Sequence, residues 1–133
     1  MRTALARSGE ALTVSLFGTE VDLSGAPAAP RLTDGEIFVG IRPEHLQIGG
    51  EGPSFEIVPS LVERLGSEQF VYAGLPEAHK MGADVARARA DEQADTFIGR
   101  FMNAPKIEVG KPLPVSFASD NTHFFDPRTQ RAI

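Results

Sequence analysis

A chain of 133 residues has the length of one domain and can bury roughly two-thirds of its unfolded surface. A net charge of −5 argues against a nucleic-acid footprint, and zero cysteines exclude disulfides and thiolate metal sites, which fits a cytoplasmic chain. No apolar run approaches the ~18 residues needed to cross a bilayer, and the N-terminus carries no hydrophobic signal segment.

Residues 1–8 read as a flexible lead-in. From Glu10 to Leu16, Leu12, Val14 and Leu16 alternate with Ala11, Thr13 and Ser15, the pattern of a half-buried strand. Phe17-Gly18-Thr19-Glu20 is a turn, and Val21 and Leu23 resume the alternation, which makes a hairpin. Ser24 to Asp34 holds Pro27 and Pro30 among small residues and forms a connecting loop.

The stretch from Glu36 to Leu46 is the most informative. Ile37, Phe38, Val39 and Ile41 predict a buried strand, with Gly40 at a bulge or close backbone approach. Pro43 stops ladder pairing and pushes Arg42 into an extended conformation. Glu44, His45 and Leu46 then form one helical turn with Pro43 at its first position. The outcome is a rigid corner that aims Arg42 and the Glu44-His45 pair.

Gly49, Gly50, Gly52 and Pro53 form a loop. A long apolar strand from Phe55 to Leu65 bends at Pro59, because proline cannot donate to a ladder. Gly66-Ser67-Glu68 turns into a strand from Gln69 to Leu75. The Ala-rich excursion from Pro76 to Asp95 predicts a short exposed helix from about Ala83 to Gln93. Strands return at Thr96–Met102, at Leu113, Val115 and Phe117, and at His123–Phe125. The turn Asp126–Thr129 leads into a last short strand at Arg131–Ile133. Seven or eight short strands with hardly any helix indicate an all-β barrel or sandwich.

Searches for chemistry return little. Gly110-Lys111 is followed by Pro112, so it is a turn rather than a phosphate loop. His45, His79 and His123 lack metal-ligand spacing, and Ser67 lacks the rest of a nucleophile elbow. Asp91 and Glu92 fall in the polar excursion, where solvation explains them. No enzyme assignment follows from these residues.

Three spaced segments carry a family resemblance. They are Gly40-Ile41-Arg42-Pro43-Glu44-His45-Leu46, Leu65-Gly66-Ser67-Glu68 leading into Val71-Tyr72, and His123-Phe124-Phe125-Asp126-Pro127 with Thr129 and Arg131. Together they resemble the C-terminal regulatory region of maltose-transporter-type ABC ATPase subunits, the transport-associated OB-fold (TOBE). The likeness covers about residues 9–75 and 96–133, and the excursion at 76–95 departs from the pattern.

What the resemblance implies is an OB-fold-like barrel of TOBE type over 9–133, with an additional N-terminal hairpin and the preceding ATPase domain absent. The function implied is that of a regulatory and dimerisation domain in the ATP-binding subunit of an importer for sugars, polyols or glycerol phosphate. This chain then needs no cofactor, since the missing ATPase domain binds ATP and magnesium. The implied partners are a second copy of the subunit, permease subunits reached through the ATPase domain, and a regulatory protein, with no nucleic acid. The implied location is peripheral, on the cytoplasmic face of the membrane.

The family-motif residues expected at a regulatory or dimer contact are Gly40, Arg42, Pro43, Glu44, His45, Gly66, Glu68, His123, Phe125 and Asp126. Arg42 suits a carboxylate across an interface or within the fold, with Glu44 and Glu68 as candidate partners. An exposed intradomain pair would contribute only about 0–1 kcal/mol. His45 could add pH sensitivity. Phe124 and Phe125 alternate sides, so one is core and the other faces a contact or pocket. The competing reading is a free-standing OB-type module for a small anion, an oligosaccharide or single-stranded nucleic acid; single-strand binding would need exposed aromatics over a basic groove.

Overall fold

Inward alternation carries the chain into a sheet almost from its first residue. The computed structural model describes residues 1–76, 79, 96–129 and 131–133. Strand β1 is Arg2–Ser8, paired antiparallel with β2 (Ala11–Leu16) on one side and β4 (Gly35–Ile41) on the other. The expected lead-in is therefore a central strand. Thr3 and Leu5 supply its buried face, and the Thr3 hydroxyl is satisfied by donating to the Ser15 carbonyl at 2.8 Å. Its arginines made the segment look solvated, yet Arg2 pairs with Glu36 at 3.0 Å and Arg7 donates to the Ala29 and Leu32 carbonyls.

The predicted hairpin is present, with β2 returning as β3 (Thr19–Asp22). Its turn is Phe17-Gly18, with φ of 50° and 80°. Two positive φ values in a two-residue turn suit the right-handed twist of the flanking strands. Strand β11 (Thr122–Phe125) completes a five-stranded sheet in the order β11-β4-β1-β2-β3.

Two three-stranded sheets make up the rest. One runs β5 (Gln47–Ile48), β10 (Leu113–Ser116), β6 (Ser54–Ile57); the other runs β7 (Leu61–Leu65), β8 (Glu68–Gly74), β9 (Thr96–Met102). The strand expected to bend at Pro59 is instead divided there, with β6 and β7 in different sheets. Pro59 is fully buried at the passage, and its carbonyl accepts the Gly110 N–H at 2.9 Å. The final strand shrinks to a single bridge between Phe125 and Ala132, because Asp126 gathers the Arg128 and Thr129 N–H groups and turns the chain sharply. The helix expected over Ala83–Gln93 lies outside the described residues.

The fold is all-β, as the strand pattern indicated, with three sheets arranged as a small OB-like barrel, as the resemblance implied. The sheets meet at three phenylalanines, one from each. Phe17 stacks on Phe55 at 5.4 Å, and Phe97 meets both edge-on at 5.3 and 5.6 Å. Such pairs add about 0.5–1.5 kcal/mol each beyond their buried area. His79 caps the cluster, accepting the Phe17 N–H at Nε2 (2.8 Å) and donating from Nδ1 to the Arg2 carbonyl (2.9 Å).

Candidate functional site: the strand-end corner and the face beside it

The corner forms as its residues dictate. Strand β4 ends at Ile41, and Arg42 is extended at φ −68°, ψ 140°. Pro43–His45 makes one 3-10 turn with proline leading, closed by the His45 N–H on the Arg42 carbonyl at 2.9 Å. Leu46 is buried and anchors the turn against β9. Gly99 makes room there: a Cβ would stand 3.4 Å from Leu46 and 2.8 Å from the Phe101 ring.

The charges do not pair as the sequence suggested. Arg100 of β9, rather than Arg42, is the partner of Glu68. Its Nε lies 3.1 Å from Glu68 Oε1, and its Nη2 contacts the same oxygen. The hydrogen bond to Glu68 and then the charge of Glu68 raise Arg100 further above its ordinary range, with Glu44 adding a smaller pull. Arg100 also sits 5.9 Å from the centre of the Phe70 ring. Arg42 is exposed, and its side chain makes no hydrogen bond or ion pair among the described residues.

The register explains the substitution of partners. Glu68 faces Met102 and Phe70 faces Arg100 across β8 and β9, so Glu68 and Arg100 are diagonal neighbours on one face. That face continues onto β7, where Leu65 stands opposite Glu68, Glu63 opposite Phe70 and Leu61 opposite Tyr72. Leu61, Leu65 and Met102 are 50%, 60% and 57% exposed, an unusual share of apolar surface around one ion pair.

The remaining motif residues are divided between structural duties and exposed positions. Gly66 turns β7 into β8 at φ 63°. Gly40 stands opposite His123, where a Cβ would come 3.2 Å from the Phe125 ring, so the expected close approach is to a side chain and pairing continues without a bulge. His123 is exposed, Phe124 is core and Phe125 is half-buried. Asp126 is held below the usual carboxylate range by the Arg128 and Thr129 N–H groups. His45 is half-buried, and its Nδ1 is enclosed without a hydrogen-bond partner among the described residues. Among the described residues no group of three or more His, Asp or Glu is placed to hold a metal ion, and no helix is long and apolar enough to cross a membrane.

No protein-family model matches the chain. Individual relatives do. The chain is similar to import ATP-binding proteins. It is 32% identical over 127 residues to the sn-glycerol-3-phosphate import ATP-binding protein UgpC of Chromobacterium violaceum, covering 95% of this chain and 29% of that protein. It is 30% identical over 102 residues to the protein of the same name from Psychromonas ingrahamii, covering 77% of this chain and 25% of that one. UgpC 2 of Agrobacterium fabrum is 28% identical over 133 residues, covering 90% of this chain and 31% of the relative. The chain therefore spans less than a third of the length of these curated relatives.

Sequence reading missed Arg100 and Phe70. The available signal was the alternation of Glu68, Phe70 and Tyr72 with buried Gln69, Val71 and Ala73, which put a carboxylate and two aromatics in a row on one outward face.

Proposed function

We propose that the chain is the regulatory and pairing region of the ATP-binding subunit of an ABC-type importer, for glycerol phosphate or related sugars and polyols. ATP and magnesium belong, on this reading, to an ATPase domain elsewhere in the protein, and permease subunits are reached through that domain on the inner face of the membrane. The observation that carries the reading is the likeness over 95% of this chain to an import ATP-binding protein of which it covers only 29%. The all-β barrel supports it as a rigid spacer, since closed sheets leave few edges to aggregate.

The outer face of β7-β8-β9 is the surface this reading assigns to a second copy. A two-fold contact needs one self-complementary patch, and Leu61, Leu65 and Met102 around the Glu68–Arg100 pair offer apolar area with both charge signs. A free-standing nucleic-acid module is disfavoured by the net charge of −5.

Sedimentation of the 133-residue chain across a wide concentration range tests the pairing. Dimer formation is expected, with Leu65→Glu and Met102→Glu shifting it to monomer; a chain monomeric throughout would refute the pairing. Genomic sequence tests the transporter assignment separately. An ATPase domain with a Gly-Lys-Ser/Thr loop is expected in frame or next door, beside permease genes, and finding neither would sink it.

A further inference from the structure

Acidic residues outnumber basic ones 18 to 13 in this chain, so a cleft whose charged lining is entirely cationic is notable. One such cleft, of about 500 Å³, opens where the β7–β8 turn meets the segment after β9. Its charged lining residues are Arg64 and Lys106, accompanied by the neutral polar Ser67, Gln69 and Asn103.

Its walls are fixed by hydrogen bonds. Gln69, only 6% exposed, donates to the Ala104 and Pro105 carbonyls at 3.2 and 2.9 Å and accepts the Ile107 N–H at 3.0 Å. Arg64 donates one Nη to the Ile107 carbonyl, which leaves its other donors without partners among the described residues. Asn103 takes a left-handed φ of 53°, and its N–H reaches the Ser67 carbonyl at 2.9 Å. The irregular segment 103–107 is thus tied at both ends and in the middle. Glu108, just outside, registers the local field: Lys111 holds its carboxyl below the usual range first, and the charges of Lys106 and Arg64 contribute.

We propose that this cleft binds a small phosphate monoester, with the Arg64 fork and the Lys106 ammonium on the phosphoryl oxygens and Ser67 and Asn103 beside the alcohol portion. Two cations lining one cleft match a dianion better than a monoanion, and the arginine fork suits paired phosphoryl oxygens. The volume leaves room beyond the phosphate for a short polyol. The anion site stands on the cleft's lining alone, while the choice of a polyol phosphate as its ligand rests on the importer reading above.

The test is a titration of the 133-residue chain followed by backbone amide NMR, with glycerol 3-phosphate, inorganic phosphate, and sodium chloride at matched ionic strength. Saturable shifts centred on Gly66, Ser67 and residues 103–107 are expected for the two phosphates, roughly millimolar or tighter, and none for chloride. Lys106→Gln should weaken binding about ten-fold, and Arg64→Gln at least as much. Lys106 makes no side-chain hydrogen bond among the described residues, so its variant stays readable even where Arg64→Gln loosens the loop. Vesicles of phosphatidic acid in phosphatidylcholine present the same group on a surface. Binding to them in preference to the free ester would overturn the small-molecule assignment. Chloride-like shifts, or full affinity in Lys106→Gln, would overturn the site itself.

Discussion

Two outward faces of this barrel obey the same alternation and are furnished oppositely. On β1, β2 and β3, the outward positions include Ala4, Ala6, Thr13, Ser15, Glu20 and Asp22, all small or polar. On β7, β8 and β9, the corresponding positions include Leu61, Leu65, Phe70, Tyr72, Ile98 and Met102. Both sheets bury an apolar inner face, so folding alone does not require the difference. Apolar residues kept at half exposure around an ion pair are what a contact surface needs and a solvated one avoids.

The comparison is broken most sharply by substituting one residue on each side of the barrel wall. Phe55→Ala removes a ring from the three-sheet junction and should lower unfolding free energy by about 3–5 kcal/mol in a urea titration. Leu65→Ser on the outer face, measured on the monomer at low concentration, should change it by no more than about 0.5 kcal/mol. Comparable losses from the two would mean that the outer face is part of the core and no docking surface.

His79→Ala comes next, because it removes a buried ring that accepts the half-buried Phe17 N–H and loosens the junction from above. The expected loss is about 1–3 kcal/mol by the same titration. An unchanged midpoint would show that His79 merely rests on the cluster.

How much was legible beforehand follows from the range of each interaction. The β2–β3 hairpin and the Pro43 corner are local, set by alternation and by proline's fixed φ, and both stand where expected. Strand β1 was missed because only Thr3 and Leu5 mark its inner face, between two arginines whose side-chain partners (Glu36 for Arg2, the Ala29 and Leu32 carbonyls for Arg7) lie 22 or more residues away. The division at Pro59 depends on which sheet each half joins, a fact settled by β10 and β8 rather than by the segment itself. At the site, Glu68 was flagged, but its partner was not: the Glu68–Arg100 pair spans 32 residues and depends on the β8–β9 register. Charge type was readable from sequence, whereas pairing needed the topology.

A smaller effect distinguishes the two hairpin turns that frame these faces. Gly66 has φ 63° with open space where a Cβ would go, so Gly66→Ala should be limited to the left-handed backbone strain, about 1 kcal/mol. Phe17 accepts a similar φ of 50° as a non-glycine, its ring held by Phe55 and Phe97. Gly66→Ala losing much more than that would mean the turn is packed against something, contrary to the open space beside it.

The smallest expected effect lies on the polar face and is read through pH. Asp22, at the end of β3, is held below its ordinary 3.8 first by the Ser24 hydroxyl and then by the Ser24 N–H at 2.8 Å. Its folded value is the lower one, so ionisation favours the native state. That contribution is complete above the unfolded value near 3.8 and is lost as pH falls through the folded value beneath it. Asp126 adds a loss of the same sign through the Arg128 and Thr129 N–H groups. Asp22→Asn keeps an acceptor but cannot titrate, so its urea midpoint should fall less than the parent's between neutral pH and about pH 3. An equal fall in both would show that the Ser24 contacts form as strongly in the unfolded chain, and that the acid sensitivity of this barrel arises away from its polar face.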